Sequence, residues 1–128
     1  MKRHGLLNSH ITKVLADLGH TDTIVVADAG LPIPPGVEKI DVSLSEGVPS
    51  FLDVISILQE EMVVERATVA EEMERNVPVH TGFHERCKTV DYVSHETLKE
   101  SLTKAKAVIR TGEVTPYANC ILHAGVTF

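Results

Sequence analysis

The chain has 128 residues, enough for one domain and little more. Hydrophobic residues make up 43% of it, but aromatics only 4% and Trp is absent, so the core must be built from Val, Ile, Leu and Ala, as suits a sheet covered by helices. A formal net charge of −6, without a basic stripe or an aromatic stacking platform, excludes nucleic acid as the expected partner.

Asn8 or Ser9 caps a helix running to about Leu18, with Ile11, Val14, Leu15 and Leu18 as its apolar stripe and Gly19 as its C′ stop. Thr23–Ala27 is a continuous apolar run, read as a strand buried on both faces. Asp28-Ala29-Gly30 breaks it, and the proline-rich Leu31–Gly36 is an extended loop. Lys39–Leu44 reads as a second strand. Pro49 fits the first turn of a helix through about Gln59, burying Phe51, Val54, Ile55 and Leu58. Met62–Ala70 reads as a strand and Glu71–Arg75 as helical, whereas Asn76–Lys88 shows no usable pattern. Thr89–Val93 is a strand, Ser94 caps a helix to about Ala105, and Ala107–Arg110 and Ala118–Ala124 close the chain as strands.

This alternation predicts a single domain over residues 1–128. Its fold class is α/β, a mostly parallel sheet, with one antiparallel pair expected where the last segment follows its neighbour after a short loop. No apolar stretch approaches a membrane span, and no apolar core follows the basic start MKRHGLLNSH. Cys87 and Cys120 lack CxxC spacing and read as free thiols. A cytoplasmic protein without membrane insertion is the expectation.

The common nucleotide and hydrolase motifs, GxGxxG, GxxxxGK[ST] and GxSxG, are missing. His80, His84 and Cys87 have H-x3-H-x2-C spacing, but Thr81-Gly82 reads as a helix break, the glutamate of HExxH is absent and no fourth ligand stands out. The sequence therefore predicts no metal.

Six positions carry more promise. Asp28 lies just past the carboxyl end of a buried strand, where open α/β sheets bind ligands, although Asp also caps turns there. His20 follows the first helix, whose C-terminus favours an imidazolium and so a general acid; a plain capping role is the alternative. His95, in the first turn of a helix, is favoured as the neutral imidazole, and Lys99 shares its face four residues on; a solvated helix face is the alternative. In TPYANCIL, an extended backbone places Tyr117 and Asn119 on one face, where phenol and amide suit a polyol. Arg110 and Glu113 read as a structural ion pair or turn contact. His4, His10 and His123 are given no role.

His20 and Asp28 flank the same strand at opposite ends, about 20 Å apart along extended chain. If both serve one small ligand, one of them must come from a neighbouring copy, which predicts a site between subunits.

The opening HGLLNSHITKVLADLGHTDTIVVADAGLPIP and the ending AVIRTGEVTPYANCILHAGVTF resemble the ribose pyranase and fucose mutarotase family, as do IDVSLSEGVPSFLDVI and YVSHETLK. The likeness spans most of the chain but not Glu74–Lys88, and both ends favour the ribose type. It implies a three-layer α/β/α sandwich assembled into a ring-shaped homo-oligomer, a decamer, with D-ribose bound in clefts between subunits and neither metal nor organic cofactor. It places the proton donor on His20 and substrate contacts on Asp28, His95, Tyr117 and Asn119, with Lys99 a further contact. It implies isomerisation of ribose from pyranose to furanose, beside a ribose importer and ribokinase. A sugar-binding protein without catalysis is the rival reading; a metal hydrolase on His80, His84 and Cys87 is another.

Overall fold

The computed structural model describes Met1–Phe128. Six strands, β1 (Thr23–Ala27), β2 (Lys39–Asp41), β3 (Val64–Ala70), β4 (Val90–Val93), β5 (Ala107–Arg110) and β6 (Cys120–Ala124), form one sheet in the order β2-β5-β1-β6-β3-β4. The helices are α1 (Ser9–Asp17), α2 (Phe51–Glu61), α3 (Val77–Arg86) and α4 (His95–Ser101), and short 3-10 turns span Glu71–Arg75 and Leu102–Lys104.

Alternating strand side chains divide the core in two. Ile24, Val26, Val69, Ile109 and Leu122 pack on one face of the sheet against α1, α2 and α3. Val25, Ala27, Val108 and Ile121 pack on the other against Leu31 and against Leu98 and Leu102. The result is the expected three-layer α/β/α sandwich, with α4 alone on its side. No helix is long and apolar enough to cross a membrane.

Serine and asparagine caps start three of the helices. Asn8 accepts from the N–H of Ile11 at 2.9 Å, Ser50 from that of Asp53 at 3.1 Å and Ser94 from that of Thr97 at 3.1 Å. Several expectations need correcting. Gly19 is not a left-handed stop: Leu18 already leaves α1 in extended geometry, and the left-handed residue is Thr21, at φ 73°. Pro49 precedes the Ser50 cap rather than occupying the first helical turn. Strand β2 ends at Asp41 because the Asp41 carboxylate accepts from both the N–H and the hydroxyl of Ser43, turning the chain. Residues read as featureless form α3, which runs unbroken through Thr81 and Gly82. A Cβ on Gly82 would come within 2.5 Å of Leu52 Cδ1, so here glycine lets α3 close on α2.

The last strand also differs. It pairs not with β5 but antiparallel with both β1 and β3, at the middle of the sheet, giving two antiparallel pairs beside three parallel ones. All five other strands consequently end at one edge, and β6 enters there. That edge gathers the loops after β1, β2, β3 and β4 and the loop that joins β5 to β6.

Candidate functional site

Asp28 and Asn119 meet at this carboxyl edge from residues far apart in sequence. The Asn119 amide donates from Nδ2 to Asp28 Oδ2 at 2.9 Å, while Asn119 Oδ1 accepts from the backbone N–H of Asp28 at 2.7 Å. Asp28 Oδ1 accepts from the N–H of Gly30 at 3.0 Å. Asn119 is fully buried and Asp28 only partly, so the amide is the fixed member and the carboxylate faces outward.

Tyr117 is not on an extended strand. It takes φ 65° in the turn before β6, so it and Asn119 do not alternate as strand neighbours; the turn delivers the ring sideways. There it meets His95 edge-on, with ring centroids 5.1 Å apart and planes at 80°. The backbone N–H of His95 is held by the Glu72 carboxylate, 3.1 and 3.2 Å from its two oxygens. His95 Nδ1 is buried without a hydrogen-bond partner. A buried ring nitrogen left unpaired is an exception among buried polar groups, and this one lies on the ring that meets Tyr117.

Lys99 lies one turn along α4, paired with Glu96 at 2.7 Å rather than with His95. That contact holds the Glu96 carboxyl below its usual value. Arg110 and Glu113 do not pair with each other. Arg110 donates to the carbonyl of Ala29 and to Asp41 and Ser43, whereas Glu113 accepts from the N–H groups of Phe51 and Thr115 and from the Thr115 hydroxyl. Hydrogen bonds from Ser43, with Arg110 adding to them, lower the Asp41 carboxyl to about 2.

Sequence reasoning missed three residues, Glu72, Arg75 and Asn76. Arg75 lies over the Tyr117 ring, 5.8 Å from its centroid, and the Asn76 amide donates to the carbonyl of Pro116. All three follow the carboxyl end of β3. Their place in the acidic run EEMERN at a strand end was the signal available.

His20 stands apart from this group. It is exposed beyond the other edge of the sheet, where β1 and β3 begin, with Nε2 3.3 Å from Glu65 Oε1. The chain thus pairs Asp28 with Asn119 and His95 with Tyr117 at the carboxyl edge, sets Lys99 one turn from His95, and leaves His20 the length of a strand away. The exposed apolar side chains Leu44, Val48 and Val114 lie around the loops that follow β2 and β5, at the carboxyl edge.

Comparison with known proteins adds the lineage. The RbsD / FucU transport protein family matches residues 1–127. The D-ribose pyranase of Bacillus licheniformis is 59% identical over 131 residues, covering all of both chains, and that of Bacillus pumilus is 62% identical over 130, again in full. The structure of Bacillus subtilis RbsD complexed with D-ribose superposes with a TM-score of 0.97 at 55% identity, covering 100% of each chain. The fucose mutarotase of Streptococcus pneumoniae, solved with L-fucose, shares the fold at a TM-score of 0.78, with 24% identity over 99% of this chain and 100% of its own.

Proposed function

Because the chain belongs to the RbsD / FucU transport protein family, we infer that it is an isomerase that interconverts the pyranose and furanose forms of D-ribose. The observation that carries this is end-to-end kinship, in sequence and in backbone, with D-ribose pyranases and with a ribose-bound relative.

The chemistry is acid–base work on a single bond. A proton goes onto the ring oxygen, the anomeric hydroxyl gives one up, the bond between the anomeric carbon and the ring oxygen breaks, and an aldehyde appears. Attack by a different hydroxyl on that aldehyde closes the other ring. In our reading Asp28, held outward by Asn119, binds a pair of sugar hydroxyls. His95 and Tyr117 take further hydroxyls, and Lys99 adds a contact at the rim. His20 delivers and recovers the ring-oxygen proton. Positioned acid–base groups give about 10²–10⁴-fold, adequate for a reaction that water alone already permits.

The separation of His20 from Asp28 supports a site completed by two copies, and the exposed Leu44, Val48 and Val114 are apolar surface suited to such a contact. The finer reading is a ring-shaped homo-oligomer, a decamer, of the whole 128-residue domain. It works in the cytoplasm between a ribose importer and ribokinase, which consumes the furanose.

Proton NMR exchange on D-ribose tests this directly. Trace protein should speed transfer between pyranose and furanose anomeric signals. Ribose binding without acceleration would sink catalysis and leave a sugar-binding protein; acceleration with fucose alone would move the assignment to the fucose type.

A further inference from the structure

His20 sits in a turn that the fold holds firmly. Thr21, the next residue, takes φ 73°, a left-handed conformation that a β-branched side chain adopts only when its surroundings impose it. Those surroundings are the end of β6. The Thr21 N–H donates to the carbonyl of Ala124 at 3.0 Å, and the Ala124 N–H donates to that of Asp22 at 2.8 Å. The Asp22 carboxylate accepts in turn from the N–H of Gly19 at 2.8 Å. Gly19 and Asp22 are thus tied together, with His20 exposed between them.

Strand β3 is irregular at the matching point. Val64 faces Ala124 and Arg66 faces His123, so two steps along β3 meet one step along β6, and Glu65 is an extra residue without a partner on β6. Such a bulge re-aims the side chain it carries. Here it brings Glu65 Oε1 to 3.3 Å from His20 Nε2. Gly125 leaves the room for this: its N–H donates to the carbonyl of Val63 at 2.9 Å, and a Cβ on it would stand 3.0 Å from Val63 Cγ1 and 3.4 Å from Glu65 Cβ. A left-handed turn and a bulge, both fastened to Ala124 and Gly125, therefore converge on one imidazole and one carboxylate.

We propose that Glu65 is the positioning residue of His20, holding the ring by Nε2 so that Nδ1 is the nitrogen that exchanges a proton with the sugar. The proposal rests on the reading of His20 as the proton donor. An ionised carboxylate only accepts, so Nε2 carries the hydrogen of this pair and Nδ1 is left as the ring atom that gains or gives one. Nδ1 then protonates the ring oxygen as its bond to the anomeric carbon breaks, and takes a proton from the hydroxyl that attacks the aldehyde. The anomeric oxygen sheds its proton to water on opening and regains one on closing. Both side chains are half-exposed, so packing alone does not fix the ring, and the carboxylate selects its orientation. At 3.3 Å the contact is loose, as such contacts are before substrate arrives.

The test is a double-mutant cycle on ribose exchange rates, measured by NMR on the full-length protein. We expect Glu65→Ala to lower kcat more than about tenfold while KM for ribose changes less than about twofold. Glu65→Gln, which keeps an acceptor oxygen, should recover part of the loss. In the His20→Ala background, Glu65→Ala should lower the rate no further, because a residue that acts through His20 has nothing left to act on. A merely structural Glu65 would slow both backgrounds alike. Glu65→Met, similar in bulk and without an acceptor, stands in should the alanine variant fail to fold. Wild-type kcat in Glu65→Ala, or a double variant well below His20→Ala, overturns the proposal and leaves the reading of His20 intact. A full rate in His20→Ala alone removes that reading, and the proposal with it.

Discussion

Asp28 and Asn119, 91 positions apart, grip each other twice: side chain to side chain and side chain to backbone. Asn119 is thus both the clamp of a loop and the orienter of a carboxylate. Asn119→Ala leaves the Asp28 N–H without its partner, and we expect a loss of about 1–3 kcal/mol in unfolding free energy together with a raised KM for ribose. Asn119→Asp is more selective, since it sets two carboxylates against each other and one must take up a proton. Its ribose affinity should become pH-dependent near neutrality; an unchanged, flat profile would refute the orienting role.

The division of groups between two edges predicts complementation. His20→Ala should retain ribose affinity and lose about 10²–10⁴-fold in rate, as expected for a missing proton donor. Asp28→Ala should lose binding. Unfolded together and refolded as a random equal mixture, the two inactive proteins should regain roughly a quarter of wild-type activity, because a site drawing on two copies is intact when each copy supplies its good residue. No regain in mixed oligomers would place both groups of a site in one chain.

His123 gives a pH signature unrelated to catalysis. It lies on β6 with Nε2 2.9 Å from the Thr68 hydroxyl, and burial, helped by Arg66, lowers its pKa. The unfolded chain therefore takes up this proton first as pH falls. The stabilisation is complete above the ordinary histidine value, about 6.5, and is lost as pH drops through the lower folded value. Denaturant midpoints measured from pH 7.5 to 5 should fall in wild type and fall less in His123→Gln; parallel curves would assign the slope to other groups.

Gly112 is irreplaceable for a steric reason. A Cβ there would stand 2.4 Å from the carbonyl oxygen of Val48 and 2.5 Å from that of Ser45, both backbone atoms. Gly112→Ala should cost about 3 kcal/mol or more, because the clash can be relieved only by moving chain. The same residue ties the loops together, accepting from the N–H of Gly47 and donating to the carbonyl of Pro49. A thermal midpoint close to wild type would contradict this.

Much of the architecture was legible in the residues. Apolar runs at Thr23–Ala27 and Ala107–Arg110 and the caps Asn8 and Ser94 rest on local chemistry, and each lies where that chemistry puts it. What stayed hidden depends on partners distant in sequence. Helix α3 has a weakly patterned surface and a glycine whose purpose is contact with Leu52, which no window of sequence contains. The central position of β6 follows from pairing with both β1 and β3, not from its short link to β5. At the candidate site, Asp28, His95, Tyr117 and Asn119 could be singled out by residue type and position, whereas the left-handed turn at Tyr117 and the grip of Glu72 on His95 could not be read.

The placement of His20 and Asp28 at opposite ends of β1 gives each chain a polarity. One end carries His20, the proton donor of our proposal, and lacks Asp28; the other carries Asp28 with Asn119 and lacks His20. A two-fold pair can join unlike ends twice, each copy's His20 end meeting the other's Asp28 end, whereas a head-to-tail contact between two copies joins them once and leaves one end of each kind free. An open row of copies always carries one unfinished site, while a closed circle carries none. Closure then does more than bury surface, since it sets how many sites work for each chain synthesised, and dilution or a weakened contact would remove activity in whole sites.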